Sequence, residues 1–354
     1  MISERLSAQL LAGPPAPNPV AVVQRLLAVQ AQDLRGARLA IRARTDGFTA
    51  ADVDRALTID RSLVVGWLNR GTLHLIRSED YFWLRTLTTP PQSTPNARRL
   101  AQEGVSPEAA ELGVRTVARA LGSEGPLTRN ELRERLDSAG VPTGGQALIH
   151  VLYLASLREG IVRGPTVGSQ QAFALVRDWL GDQPRVDRDA ALAELARRYL
   201  AGHGPAEERD LAKWSGLPLS DARRGLRAVG RELEERPDGL VDLRNRPQPS
   251  GLPPPRLLGA FDPLLLGWRA REPITGAHQG LVTVNGLFRP FALIRGRAAG
   301  VWSMTGGILS LRLFDTITPE DTEALEREAA DVARFLGVSA RLSLGAGGNG
   351  ASGD

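Results

Sequence analysis

Between Asn18 and Arg77 the spacing of apolar residues changes from that of a helix to that of a strand, and this change leaves few folds open. Asn18-Pro19 offers an N-cap followed by a proline at the first helical position. Val20, Val23, Leu26 and Leu27 then recur at helical spacing as far as Val29. A second helix follows, with Leu34, Leu39 and Ile41 as its apolar members and Arg35, Arg38, Arg42 and Arg44 around it. Thr49 caps a third, where Asp52 can complete a capping box. Across residues 62–77 the period becomes two: Leu63, Val65 and Trp67, then Leu73 and Leu75, alternate around Asn69-Arg70-Gly71, which reads as a β-hairpin. Three helices and a hairpin make a winged helix. Its wing carries Arg61, Arg70, His74 and Arg77, suited to touching phosphate or a groove, although an ordinary solvated hairpin has the same composition.

The pattern then repeats. Gly125-Pro126 is followed by Leu132 and Val141-Pro142, and Gly204-Pro205 is followed at the same interval by Leu211 and then Leu217-Pro218. The first copy has Thr128 and Glu131 as a capping box, an apolar helix over 147–158 and a strand pair over 161–176; the second has a helix over 222–229 and a hairpin over 233–243 turning at Pro237-Asp238-Gly239. A proline-rich linker at 247–255 precedes short strands at 280–284, 291–294, 298–303 and 308–314, a helix from Thr318-Pro319 to Phe335, and a last strand within 338–344. The expected fold class is α+β. Winged helices occupy 1–92, 93–180 and 181–246, a β-rich C-terminal domain occupies 247–344, and a glycine-rich flexible tail occupies 345–354.

At 354 residues the chain exceeds one ordinary core and is long enough to be a self-standing enzyme. No apolar run reaches the length of a membrane span and the N-terminus lacks a secretory pattern, so a cytoplasmic protein with no membrane partner is expected. The absence of cysteine removes disulfides, thiolate nucleophiles, cysteine-ligated zinc and iron–sulfur clusters. His74, His150, His203 and His278 are scattered without metal-ligand spacing, and no phosphate-binding loop of the Lys-Ser/Thr type is present, so neither a metal nor another cofactor is expected. Lys213 is the one lysine beside many arginines. Arginine suits phosphate oxygens, but a chain rich in Ala, Gly, Arg and Pro also reflects GC-rich coding, so composition permits nucleic acid without arguing for it.

Gln30 and Gln32, in Val29-Gln30-Ala31-Gln32-Asp33, fall where the first helix ends. Positions i and i+2 diverge by about 200° on a helix and point the same way in extended chain. Two amides that hold one water therefore require this segment to be non-helical. Gln30-Ala31-Gln32, Arg70-Gly71-Thr72-Leu73-His74-Leu75 and Gly259-Ala260-Phe261-Asp262-Pro263-Leu264-Leu265-Leu266-Gly267-Trp268 stand in an order that resembles the tandem winged-helix family containing the AlkZ-type DNA glycosylases, over residues 1–340. Known members excise N7-alkylguanine adducts, including interstrand crosslinks, and a sister branch carries Gln-apolar-Asp where this chain has Gln32.

The resemblance implies a C-shaped monomer without an obligate protein partner, acting on double-stranded DNA with an alkylated guanine. It implies Gln30 and Gln32 as catalytic residues that position a water. With no lysine near the motif a Schiff-base lyase step is not expected, so the reaction is expected to be monofunctional and to leave an abasic site. Asp33 is a rival base, and His74 on the wing is a second candidate for catalytic support. Arg35, Arg38, Arg42, Arg70 and Arg77 are the candidates for phosphate contact. His150 reads as a packing residue and Asp262 as an Asx-type turn former before Pro263. Two other readings compete: a non-catalytic winged-helix regulator with a preferred operator, and a small-molecule or scaffold protein whose Trp268, Trp302 and Phe288 line a pocket.

Overall fold

A computed structural model describes residues 1–167, 170–249, 251–278, 280–283 and 286–345. Helices and sheets are mixed, as the α+β expectation requires, and the chain packs as two compact units that are discontinuous in sequence. One comprises Met1–Val53, Arg197–Leu211 and Gly230–Asp354; the other comprises Asp54–Ala196 and Ala212–Val229.

In the first unit, Asn18 accepts a hydrogen bond from the Ala21 amide and starts the helix Pro19–Leu26, as the Asn-Pro pair predicts. Val22, Val23 and Leu26 form its buried face. Leu27 then turns left-handed at φ 65°, unusual for a residue with a branched side chain, and this ends the helix. Val29–Gln30 is extended, and Asp33 accepts from the Arg35 amide to start the next helix, Leu34–Arg42. Farther on, Leu233–Glu235 and Val241–Leu243 pair as the expected hairpin.

The C-terminal part of this unit is a five-stranded sheet in the order Arg341–Gly345, Ile308–Leu313, Arg297–Thr305, Phe291–Ile294, Arg256–Leu258. All pairings are antiparallel except that of Arg341–Gly345 with Ile308–Leu313. The helix Pro319–Leu336, capped by Thr318, packs against it. One expectation needs correction: among the described residues, the strand expected at 280–284 is reduced to an isolated bridge between Val282 and Phe288, with Val284 outside them. Arg256–Leu258, not anticipated from the sequence, forms an edge strand just after the proline-rich stretch. Gly345 closes the last strand; the rest of the expected tail, 346–354, lies outside the described residues.

The second unit contains two hairpins, Leu63–Trp67 with Leu73–Arg77 and Ile161–Val167 with Gln170–Leu175. Expected as wings of separate modules, they are neighbours in one sheet: Val65 pairs antiparallel with Arg163, and Leu127–Thr128 adds to the far side. Packing explains the junction. Trp67 stacks against Phe173 with centroids 6.0 Å apart and lies 5.6 Å from the Tyr153 ring, so the outer faces of two marginal hairpins become one aromatic core. The capping box at Thr128 and Glu131 forms as expected, and the apolar helix Ala147–Arg158 packs on Pro107–Glu124. His150 is a packing residue, its Nδ1 2.9 Å from Asn96 Oδ1.

Candidate active site

The first unit carries Gln30, Gln32, Asp33, Arg35 and Arg38 on one continuous stretch. From Leu27 to Asp33 the backbone is non-helical, the conformation that two amides two residues apart need in order to serve one ligand. Gln30 is buried and Gln32 is exposed. Asp33 uses a carboxylate oxygen, 2.9 Å from the Arg35 amide, to cap the helix that follows. That bond ties the end of the glutamine segment to the positive end of a helix dipole.

The helix Leu34–Arg42 is held from behind by its own small residue. A Cβ at Gly36 would lie 2.3 Å from the Ala260 carbonyl oxygen, and one at Gly259 would lie 2.8 Å from the Gly36 carbonyl oxygen. Two glycines thus let two backbones touch. This is the physical content of the Gly259-Ala260-Phe261-Asp262-Pro263 motif, in which Phe261 adopts φ 56°, a left-handed conformation that the surrounding packing must maintain. Asp262 caps Pro263–Leu266 through the Leu264 amide, the Asx role expected of it.

Sequence reasoning missed the partner of Asp262. Arg44 is fully buried and grips that carboxylate with two nitrogens at 2.9 and 2.8 Å, while donating also to the Gln9 side chain and to the carbonyls of Gln9 and Ala40. A bidentate pair whose remaining protons are satisfied is the geometry in which burying two charges is tolerated. The signal in the sequence was an Asp-Pro step inside an apolar run, which marks a buried carboxylate without naming its cation.

Arg42 departs from the expectation that it contacts phosphate. Its side chain is 2% exposed and its guanidinium binds Glu328 at 2.6 Å, Asp331 at 2.9 Å and the Leu257 carbonyl at 2.9 Å. It shares a helical face with Arg35 and Arg38, but that end of the face is covered by the helix Pro319–Leu336. Arg35 and Arg38 are only half-buried.

The hairpin residues behave similarly in the second unit. Arg70, at φ 57°, donates to the Trp214 carbonyl, and Arg77 binds Asp80 at 2.8 Å as well as Glu79. Arg77 is thus committed to carboxylates, a correction to its expected role as a phosphate ligand, while Arg70 is engaged through one nitrogen. His74 is buried, with Nδ1 3.0 Å from the Thr72 carbonyl. Burial, reinforced by the charge of Arg70, pushes its pKa down to about 3. A neutral imidazole at pH 7 can orient a neighbour but cannot act as a general acid.

The aromatic residues of the competing pocket reading are core. Trp268 and Trp302 are buried with their indole N–H groups donated to the His203 and Leu258 carbonyls, and Phe288 packs in a tilted arrangement against Phe261. Among the described residues, no three His, Asp or Glu side chains gather as a metal site, and no helix is long and apolar enough to cross a membrane.

Residues 23–335 match the model of the family described as DNA glycosylase AlkZ-like. An interstrand DNA cross-link repair glycosylase of Streptomyces sahachiroi is 29% identical, with 95% of each chain covered. The solved structure of the Streptomyces sahachiroi DNA glycosylase AlkZ superposes with a TM-score of 0.79 at 27% identity, covering 97% of this chain and 98% of that one. With its glutamine motif, its close-packed glycines and its capped Asp-Pro turn on a fold shared over nearly the whole length, the chain belongs to the AlkZ-like DNA glycosylase family.

Proposed function

We propose that the protein is a DNA-repair glycosylase that hydrolyses the bond between C1′ and N9 of N7-alkylguanine, interstrand crosslinks included. The observation that carries this reading is the non-helical segment around Gln30 and Gln32, placed between two capped helices with one amide buried and the other exposed. The relative whose name states interstrand cross-link repair supports the substrate class.

The chemistry asks little of the side chains. Alkylation at N7 makes the guanine a cation, so it departs with the bonding electrons of C1′–N9 without needing a protonated acid. The sugar passes through an oxocarbenium-like state, and water adds to C1′ to give an abasic site. Gln30 and Gln32 hold that water by accepting from it and donating to it, and their amide oxygens favour the developing positive charge. The proton released from the water goes to solvent or to Asp33. Lys213 is the one lysine of the chain and lies outside the motif, so a Schiff-base lyase step has no amine there. The enzyme is monofunctional, needs no cofactor for this step, and works as a monomer on double-stranded DNA. The three winged-helix units read in residues 1–246 hold that DNA.

The test is a duplex carrying one N7-methylguanine, incubated with the enzyme and then treated with hot alkali. Strand cleavage that depends on alkali supports a monofunctional glycosylase. Cleavage without alkali would show a lyase, and binding without cleavage on several alkylguanine substrates would make a winged-helix regulator the better reading.

A further inference from the structure

The C-terminal sheet has two faces of opposite character. Against one face lies Pro319–Leu336, whose Leu325 and Val332 are buried together with Leu309 and Leu311 of the sheet. The register of the three outer strands fixes the residues on the other: Val301 beside Arg312 and Gly345, Ser303 beside Ser310 and Ser343, Thr305 beside Ile308 and Arg341. Three serines thus form a row of hydroxyls across neighbouring strands, about 4.8 Å from one strand to the next, and each flanking row holds one arginine, Arg312 on one side and Arg341 on the other.

Among the described residues, the three outer strands carry no Asp or Glu. Between residues 280 and 345 every Asp and Glu except Asp315 is on the helix Pro319–Leu336. Arg312 and Arg341 are exposed, as is Arg289, which borders the same face, and none has a carboxylate partner among the described residues. Elsewhere Arg42 and Arg77 are held by carboxylates, and Arg70 donates to a backbone carbonyl. A depression of ≈ 610 Å³ lies on the face, lined by Arg289, Arg312, Ser303, Ser310, Ser343 and Gly345 among others.

We propose that this open sheet face binds the phosphate backbone of DNA, as a contact surface additional to the helix that bears Arg35 and Arg38. The inference rests on the reading of the protein as a DNA enzyme. Guanidinium forks and hydroxyls are the groups that hold phosphate oxygens without reading sequence. Their placement on strands that carry no acid, with the carboxylates of Pro319–Leu336 against the opposite face, complements a polyanion. The hydroxyl row between Arg312 and Arg341 supplies neutral donors where a phosphodiester chain crosses from one cation to the next.

The test uses undamaged duplex DNA, so that no chemistry is involved. Binding is measured against salt concentration for the full chain, for Arg312→Gln, for Arg327→Gln on the acidic helix, and for the triple variant Arg289→Gln/Arg312→Gln/Arg341→Gln. These side chains are exposed, and circular dichroism checks that folding is unaffected. The expected result is that the slope of log K against log salt falls by about 0.9 for Arg312→Gln and by about 2.7 for the triple variant, with no change for Arg327→Gln. An unchanged slope in the triple variant, or equal losses for Arg312→Gln and Arg327→Gln, would overturn the proposal. Wild-type excision in the alkali assay is scored in parallel. Normal excision with an unchanged slope would sink this inference alone, whereas absent excision with the expected slopes would sink the glycosylase reading and leave the surface standing.

Discussion

The helix Leu34–Arg42 and the hairpin Leu63–Arg77 offer the same ingredients, arginines spaced along a regular element, and use them differently. In the hairpin, Arg70 and Arg77 are spent on a backbone carbonyl and on Asp80 and Glu79. In the helix the roles are divided along its length. Arg35 and Arg38, nearest the glutamines, stay half-exposed, while Arg42 and the adjacent Arg44 are buried anchors. A row of arginines is therefore no measure of a phosphate-binding surface. What decides is how far the surrounding chain buries each guanidinium and engages its donors.

The largest way to break this division is to remove an anchor. Asp262→Ala leaves Arg44 charged and unpaired in the core, and urea denaturation should show a loss of about 3–5 kcal/mol. Arg42→Ala should cost less, about 1–3 kcal/mol, because Arg256 and the Leu257 amide still hold Glu328. A measured cost near zero for either would mean that the helix is not anchored as described.

Acid provides a third test, and it reaches both units. Burial pushes His74 and His203 down to about 3, from an ordinary value near 6.5. The unfolded chain therefore binds more protons than the folded one between those limits. Stability from these residues is full above pH 6.5 and declines as pH falls toward 3, by about 1.4 kcal/mol per pH unit for each histidine. His74→Gln should flatten this decline, read from urea midpoints between pH 7 and 5; an identical decline would show that His74 is not the buried neutral group described.

The smallest stability effect belongs to the arginines proposed to face DNA. Arg35→Ala with Arg38→Ala should alter stability by no more than about 0.5 kcal/mol each, as at other surface sites, yet lower the salt slope of DNA binding by about 1.8. Arg70→Ala should leave the slope unchanged. The reverse pattern would exchange the roles assigned to helix and hairpin.

Local chemistry was readable. The caps at Asn18, Thr128 and Thr318, the hairpin at 62–77 and the Asx turn at Asp262 each depend on residues within a few positions of one another, and each formed. Partners distant in sequence were not readable. Glu328 consumes Arg42, Asp262 consumes Arg44, and Arg163 pairs with Val65 to merge two hairpins into one sheet. No periodicity announces such pairs. The strand Arg256–Leu258 was missed for a related reason, since three residues beside prolines become a strand only through the neighbour Phe291–Ile294. In the candidate site, the extended conformation at Gln30 was anticipated because the chemistry demanded it. The close contact of Gly36 with Ala260 was not, because a glycine in a helix says only that something can come near.

The most direct test of the central claim is the single-turnover rate of N7-methylguanine release by wild type, Gln30→Ala/Gln32→Ala and Asp33→Asn, with enzyme in excess and DNA binding measured alongside. If the two amides hold the attacking water, the double variant should lose at least about 100-fold in rate while still binding DNA, and Asp33→Asn should retain most of the activity. A double variant with the wild-type rate, or an inactive Asp33→Asn beside an active double variant, would contradict the account and move the chemistry from the glutamines to the carboxylate or elsewhere.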